Sequence, residues 1–115
     1  MARIVVMDDE PSARTAMKRI LEKEGQEVEL YEDAAPALEG ADFGSSDLVL
    51  IDLQMPTSGY DAIEEIRNRG FNELPLIVIS AHVDLVLTAE MLDVQDIIHK
   101  PFDIAEFSKS VHKFI

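Results

Sequence analysis

Asp8-Asp9, Asp52, Ser80 and Lys100 each directly follow a short apolar run, and each can handle a phosphoryl group. Ile4-Val5-Val6-Met7 leads into the acidic pair, Leu48-Val49-Leu50-Ile51 into Asp52, Pro75-Leu76-Ile77-Val78-Ile79 into Ser80, and Asp96-Ile97-Ile98-His99 into Lys100-Pro101. Three carboxylates brought together form a concentrated negative site that is unfavourable unless a cation joins them. Hard oxygen donors with room for water suit Mg²⁺. A cation at Asp8, Asp9 and Asp52 would neutralise the approach of an anionic donor and leave one carboxylate as nucleophile, forming an acyl phosphate. Asp52 is the better nucleophile candidate because it is single and central. Lys100 supplies an ammonium that can pair first with the carboxylate and then with a phosphoryl oxygen, and Ser80 offers a hydroxyl to another oxygen.

These residues can meet only if the runs are parallel strands whose C-terminal ends share one edge of a sheet, where α/β folds place their ligands. Helical segments alternate with the runs. Pro11 and Ser12 open a helix with Ala13, Ala16, Met17, Ile20 and Leu21 on one face, closed by Gly25 after Glu24. Glu27 to Tyr31 reads as a strand, Ala34 to Leu38 as a short helix with Pro36 in its first turn, and Gly40 to Ser46 as loop. Tyr60 to Arg69 carries Ala62, Ile63 and Ile66 at helical spacing, and a last helix from Ile104 aligns Phe107, Val111, Phe114 and Ile115 as core. Five strands with helices between them predict one doubly wound parallel sheet covered on both faces.

Size and charge narrow the function classes. The 115 residues suit a single domain, and 47% apolar with 29% charged residues suits a folded chain. No apolar stretch approaches the roughly 20 residues that span a bilayer, and no secretory signal is visible, so a cytoplasmic location is expected. The absence of cysteine excludes disulfides, thiolate nucleophiles and cysteine zinc sites. Ten Lys plus Arg against 23 Asp plus Glu leave a formal charge of −13, which repels nucleic acid and anionic membrane alike.

Met7-Asp8-Asp9-Glu10-Pro11, Asp52-Leu53-Gln54-Met55-Pro56, Ser80-Ala81 and Lys100-Pro101-Phe102, in that order and each after a predicted strand, resemble the receiver domain of bacterial two-component response regulators. The likeness is to the stand-alone, chemotaxis-regulator type. It implies a flavodoxin-like strand order 2-1-3-4-5, a phosphoryl group accepted by Asp52 from a phosphohistidine, and Mg²⁺ held by Asp8, Asp9, Asp52 and the backbone carbonyl of Gln54. It further implies that Ser80 and Lys100 sense the phosphoryl group, that the Lys100-Pro101 bond is cis, and that Gln54 and His82 tune the phosphoryl lifetime. The partners implied are a sensor histidine kinase or histidine phosphotransfer protein and a downstream protein target. Read from Met1 to Ile115, the chain is expected to be one receiver domain without an output domain, a switch rather than an enzyme.

Three departures from the family pattern bear on activation. Ile97 stands where the family usually has an aromatic residue, Asp93-Val94-Gln95 replaces the usual Gly-Ala before the fifth strand, and the segments Ser80 to Lys100 and Asp52 to Gly59 are both shorter than usual. A shortened or displaced fourth helix is expected. The segment from Val83 to Leu92 is apolar around its circumference, so it is either a deeply packed helix or a docking surface for a partner or a second copy, giving a homodimer. His99 and His112 read as strand and helix-surface residues. Two other functions compete with the switch: an interaction module that keeps the fold without phosphorylation, and a Mg²⁺-dependent phosphatase or phosphotransferase. Against the latter, Asp52 lacks a second acid two residues on, where Gln54 stands.

Overall fold

The computed structural model describes residues 1–81 and 89–115. Strands run Arg3–Met7 (β1), Glu27–Tyr31 (β2), Leu48–Asp52 (β3), Leu76–Ser80 (β4) and Asp96–His99 (β5). Helices run Pro11–Lys23 (α1), Ala34–Gly40 (α2), Gly59–Asn68 (α3), Ala89–Leu92 (α4) and Ile104–Val111 (α5). The strand order is β2-β1-β3-β4-β5 and every ladder is parallel. Both the doubly wound sheet expected from the apolar runs and the order implied by the family resemblance are therefore present.

Alternation along the strands feeds two cores. Ile4, Val6, Leu48, Leu50, Ile77, Ile79 and Ile98 pack with Met17 and Leu21 of α1 and Phe107 and Val111 of α5. Val5, Met7, Val49, Ile51, Leu76 and Val78 pack on the other side with Ala34 and Ala37 of α2 and Ala62, Ile63 and Ile66 of α3. Full burial of one such aliphatic side chain contributes about 1.5–3 kcal/mol. All four apolar residues of β3 are inaccessible, which makes that strand the anchor of both layers.

Local signals end the helices where the chain must turn back. Gly25, at φ 86°, closes α1, and its N–H donates to the Glu22 carbonyl at 3.0 Å while that of Gln26 donates to the Leu21 carbonyl at 3.0 Å. The α1 stripe is narrower than its spacing suggests, since Ala16 is exposed and only Met17 and Leu21 are fully buried. α3 starts at Gly59, one residue before the expected Tyr60, and is capped by Ser58, whose Oγ accepts from Tyr60 N at 3.1 Å. Asp103 caps α5 through Glu106 N at 2.7 Å. The last helix ends at Val111, not at the terminus. Bonds from Lys113 N to Ser110 O (3.2 Å) and Phe114 N to Val111 O (3.0 Å) tighten the exit into a turn, which leaves Phe114 half-buried and Ile115 exposed rather than core.

Expectations about the fourth helix and its apolar segment fall largely on residues 82–88, outside the described residues. Within the described part, Met91 is exposed and Leu92 is half-buried against the α2–α3 core. The turn into β5 is well defined. Asp93 takes a left-handed conformation, φ 58°, which aspartate tolerates better than most residues. Arg67, buried on α3, donates to the Asp93 carbonyl at 2.9 and 3.2 Å and to the carbonyls of Phe71 at 2.6 Å and Leu74 at 2.8 Å. Its guanidinium also lies 3.5 Å from the Asp93 carboxylate, so one side chain braces both the turn and the approach to β4.

The loop from Asp52 to α3 is drawn in tightly. A Cβ on Gly59 would fall 2.4 Å from the Asp52 carbonyl oxygen and 2.7 Å from Leu53 Cα, both of them backbone atoms. Gly59→Ala should therefore force α3 away from the end of β3, at a cost of about 1–3 kcal/mol. The measurement is the denaturant midpoint at unchanged slope; a variant as stable as the wild type would show that the contact is relieved without penalty.

Candidate functional site

Register decides which residues meet. Met7 pairs with Ile51, Asp52 with Ile79 and Ser80 with His99, so Asp8, Asp52, Ser80 and Lys100 emerge along one edge. Asp8 and Asp52 continue the alternation that puts Ile4, Val6, Leu48 and Leu50 on the α1–α5 side, and Lys100 continues that of Ile98. Ser80 continues the opposite alternation, with Leu76 and Val78. Its carbonyl accepts from Lys100 N at 2.9 Å, which ties the two strand ends together. The Lys100-Pro101 bond is cis, as the resemblance implies.

At that edge one ammonium lies between two carboxylates. Lys100 Nζ is 2.7 Å from Asp8 Oδ2 and 3.2 Å from Asp52 Oδ2, with Glu10 Oε2 further out at 3.9 Å. The contact with Asp52 has hydrogen-bond geometry. The one with Asp8 is an ion pair off the hydrogen-bond axis, and Asp8 Oδ2 is a buried oxygen without a directed donor. Asp8 is fully buried, Asp52 is 5% accessible and Asp9 is exposed at the mouth. One ligand atom from each of Asp8, Asp9 and Asp52 lies within 4.8 Å of the others.

Electrostatics follow from one cation serving several anions. Burial pushes the Asp8 carboxyl above the usual carboxylate range, and the Asp52 charge adds to it; the Lys100 ammonium and the Glu10 N–H oppose the rise without cancelling it. Burial also works against the Lys100 ammonium, but Asp8 and Asp52 outweigh it and hold its pKa above that of an ordinary lysine. The lysine is thus over-satisfied while Asp8 is under-satisfied. Three carboxylates against one ammonium leave a formal excess of two negative charges, in an all-oxygen donor set with one buried oxygen that has the ammonium beside it but no directed donor. That set fits a hard divalent cation.

Backbone groups finish the arrangement. Gln54 N donates to Asp52 Oδ1 at 2.9 Å and Glu10 N to Asp8 Oδ1 at 2.9 Å, each orienting a carboxylate from two residues downstream. Gln54 itself is exposed at the start of the loop. Two supports went unnoticed in the sequence. Arg14, one turn into α1, donates to the Asp8 carbonyl at 2.7 Å, and Asp33 accepts from Thr57 N at 2.8 Å and Thr57 Oγ1 at 2.7 Å. No local motif marks either one, although Glu10, next to the acidic pair, could have been read as part of the same charge cluster. Ile97 is half-buried against the α2–α3 core, and His82 lies outside the described residues.

The response regulator receiver domain family model matches residues 4–112. Among curated proteins, response regulator ArlR of Staphylococcus saprophyticus is 34% identical over 109 residues, covering 92% of this chain and 49% of that protein. Sensory transduction protein RegX3 of Mycobacterium tuberculosis is 32% identical over 110 residues, covering 92% of this chain and 47% of that protein. The chain thus spans about half the length of the curated relatives it matches. Among solved structures, response regulator TrrA of Thermotoga maritima, in complex with Mg²⁺-BeF, superposes with a TM-score of 0.88 at 31% identity and covers 100% of both chains. Chemotaxis protein CheY4 of Vibrio cholerae, at 22% identity, shares the fold with a TM-score of 0.91 over 100% of this chain and 99% of that one.

The charge imbalance has a measurable consequence in metal-free protein. A carboxyl with a raised folded-state pKa favours the fold when protonated; that contribution is intact below the ordinary carboxylate range and is lost as pH rises through the elevated value. Asp8→Asn removes the buried negative charge, so at neutral pH in EDTA it should raise the unfolding midpoint by a few degrees, on the order of 1 kcal/mol. The gain should shrink as pH falls and the wild-type carboxyl becomes neutral. Thermal melts at several pH values test this, and a variant destabilised at every pH would contradict it.

Proposed function

The chain belongs to the response regulator receiver family of two-component signalling, and on that premise we propose that Asp52 is its phosphoryl acceptor and Asp8, Asp9, Asp52 and Gln54 its Mg²⁺ site. Asp52 supplies the nucleophilic oxygen: an O–P bond forms as the P–N bond of a partner's phosphohistidine breaks, and the electron pair returns to the imidazole nitrogen. Mg²⁺, when bound, neutralises charge between the carboxylates and the incoming phosphoryl oxygens. Gln54 would contribute its backbone carbonyl to the cation. Lys100, already within reach of Asp52, would transfer its ammonium from the carboxylates to a phosphoryl oxygen. Ser80, at the end of the neighbouring strand, would offer its hydroxyl to another.

The observation that carries this reading is the position of Lys100 Nζ, 2.7 Å from Asp8 and 3.2 Å from Asp52, beside a third carboxylate at the mouth. Phosphorylation adds roughly 1.5 to 2 negative charges. Drawing Lys100 and Ser80 toward that charge would shift the β4 and β5 ends and the surface they support, so that a downstream protein target binds one state better than the other. The partners proposed are a sensor histidine kinase or histidine phosphotransfer protein upstream and a protein target downstream. The setting is cytoplasmic, and residues 1–115 act as one receiver domain. It is a switch with at most slow self-dephosphorylation. Among the described residues, no helix is long and apolar enough to cross a membrane.

Incubation with a small phosphodonor and Mg²⁺ should add the mass of one phosphoryl group, located by peptide mapping at Asp52. Asp52→Ala should abolish the label, and EDTA should suppress it in the wild type. Labelling that persists in Asp52→Ala, or a wild type that stays unlabelled while a control receiver reacts, would refute the assignment.

A further inference from the structure

The loop that follows Asp52 is held at three points. At its entrance Gln54 N–H donates to Asp52 Oδ1 at 2.9 Å. At its exit Gly59 N–H donates to the Leu53 carbonyl at 3.3 Å, and the close approach of Gly59 to the end of β3 fixes the start of α3. Between them, Thr57 donates its backbone N–H to Asp33 Oδ1 at 2.8 Å and its hydroxyl to Asp33 Oδ2 at 2.7 Å. The first two contacts close the β3–α3 segment on itself. The third ties its middle by hydrogen bonds to another element, the junction of β2 and α2, 24 residues away in sequence, beside Met55, which packs on the α2–α3 core.

Asp33 is placed for a different job. It occupies the N-cap position of α2, yet its side chain makes no cap hydrogen bond. Pro36, two residues into the first turn after Ala34, has no N–H to offer, so one of the usual N-cap partners is missing. Both carboxylate oxygens instead engage Thr57. Desolvation works to raise the Asp33 carboxyl, but Thr57's two donors and the Ala34 N–H together outweigh it and keep the carboxyl below the usual carboxylate range, so it is ionised at neutral pH.

Between the entrance and the tip lie only Met55 and Pro56, and proline has a fixed φ. With Thr57 anchored, few arrangements remain for the peptide after Gln54, the group assigned above to the cation. We propose that Asp33 is a positioning residue for that site: through Thr57 it holds the acceptor loop in the arrangement that presents the Gln54 carbonyl, and so raises affinity for the divalent cation. The role rests on the Mg²⁺ reading above. Outer supports of this kind typically change metal affinity by about 10–100-fold.

Calorimetric titration of Mg²⁺ into the wild type, Asp33→Ala, Asp33→Asn and Thr57→Val tests it, with unfolding midpoints in EDTA as a separate readout. Asp33→Ala should weaken the Mg²⁺ Kd by roughly tenfold. Asp33→Asn keeps an oxygen for Thr57 N–H and an amide for Thr57 Oγ1, so it should restore most of the affinity; Thr57→Val, which keeps the backbone donor, should fall between. An unchanged Kd in Asp33→Ala with a lowered EDTA midpoint would make the contact merely structural. Equal weakening by Asn and Ala would make charge, not position, the cause. Either result overturns the proposal, and Thr57→Val decides by the same Kd criterion if Asp33→Ala does not fold. A wild type that binds no Mg²⁺ would overturn the cation reading itself and this role with it.

Discussion

A single lysine ammonium shared among more carboxylates than it can satisfy is the interaction on which the rest of the structure turns. Lys100 sits against Asp8 and Asp52 with its side chain only 12% accessible, while Asp9 adds a third negative group at the mouth. Taking charges out of water is costly unless they are paired and hydrogen-bonded. Here the pairing is incomplete by design of the backbone: Asp8 keeps a buried oxygen without a directed donor, and its carboxyl is correspondingly reluctant to ionise. In the proposed site a divalent cation would supply the missing charge. In the proposed cycle a phosphoryl group then supplies the next thing the ammonium can pair with.

The sheet is what keeps this unfavourable cluster together. Carboxylates free to move would separate and hydrate, but Asp8 and Asp52 extend strands whose apolar residues are inaccessible on both faces. The register Met7 with Ile51 holds them side by side, and the bond from Lys100 N to Ser80 O brings the fifth strand's end to the same rim. Moving either acid away would require a slip in a buried ladder, which would turn every side chain to the wrong face. Burial of the strands thus holds the strained charges, and the tight loop after Asp52 closes the site from the other side.

The site was legible in the sequence because its residues sit at the ends of short, unmistakably apolar runs, and a parallel sheet collects such ends along one edge. The two cores were legible for the same reason. What escaped was contact between distant loops. Thr57 and Asp33 are both ordinary loop residues, and nothing in either neighbourhood signals that one carboxylate will take two donors from the other segment. Nothing in the sequence around Arg67 marks it as buried, yet it is, because carbonyls from two separate turns converge on it. Phe114 and Ile115 fit a helical stripe by spacing, but bonds from Lys113 and Phe114 to residues three back end the helix first. Spacing reports which face an apolar residue would take; it does not report where the backbone stops being helical.

The most direct test of the account is a crystal structure with Mg²⁺ and beryllofluoride, which imitates a phosphoryl group. The account predicts the cation bound by oxygens of Asp8, Asp9 and Asp52, the beryllofluoride on Asp52, and Lys100 Nζ shifted from Asp8 Oδ2 onto a fluorine. A cation bound elsewhere, or a lysine still seated on Asp8 with the ligand in place, would contradict it.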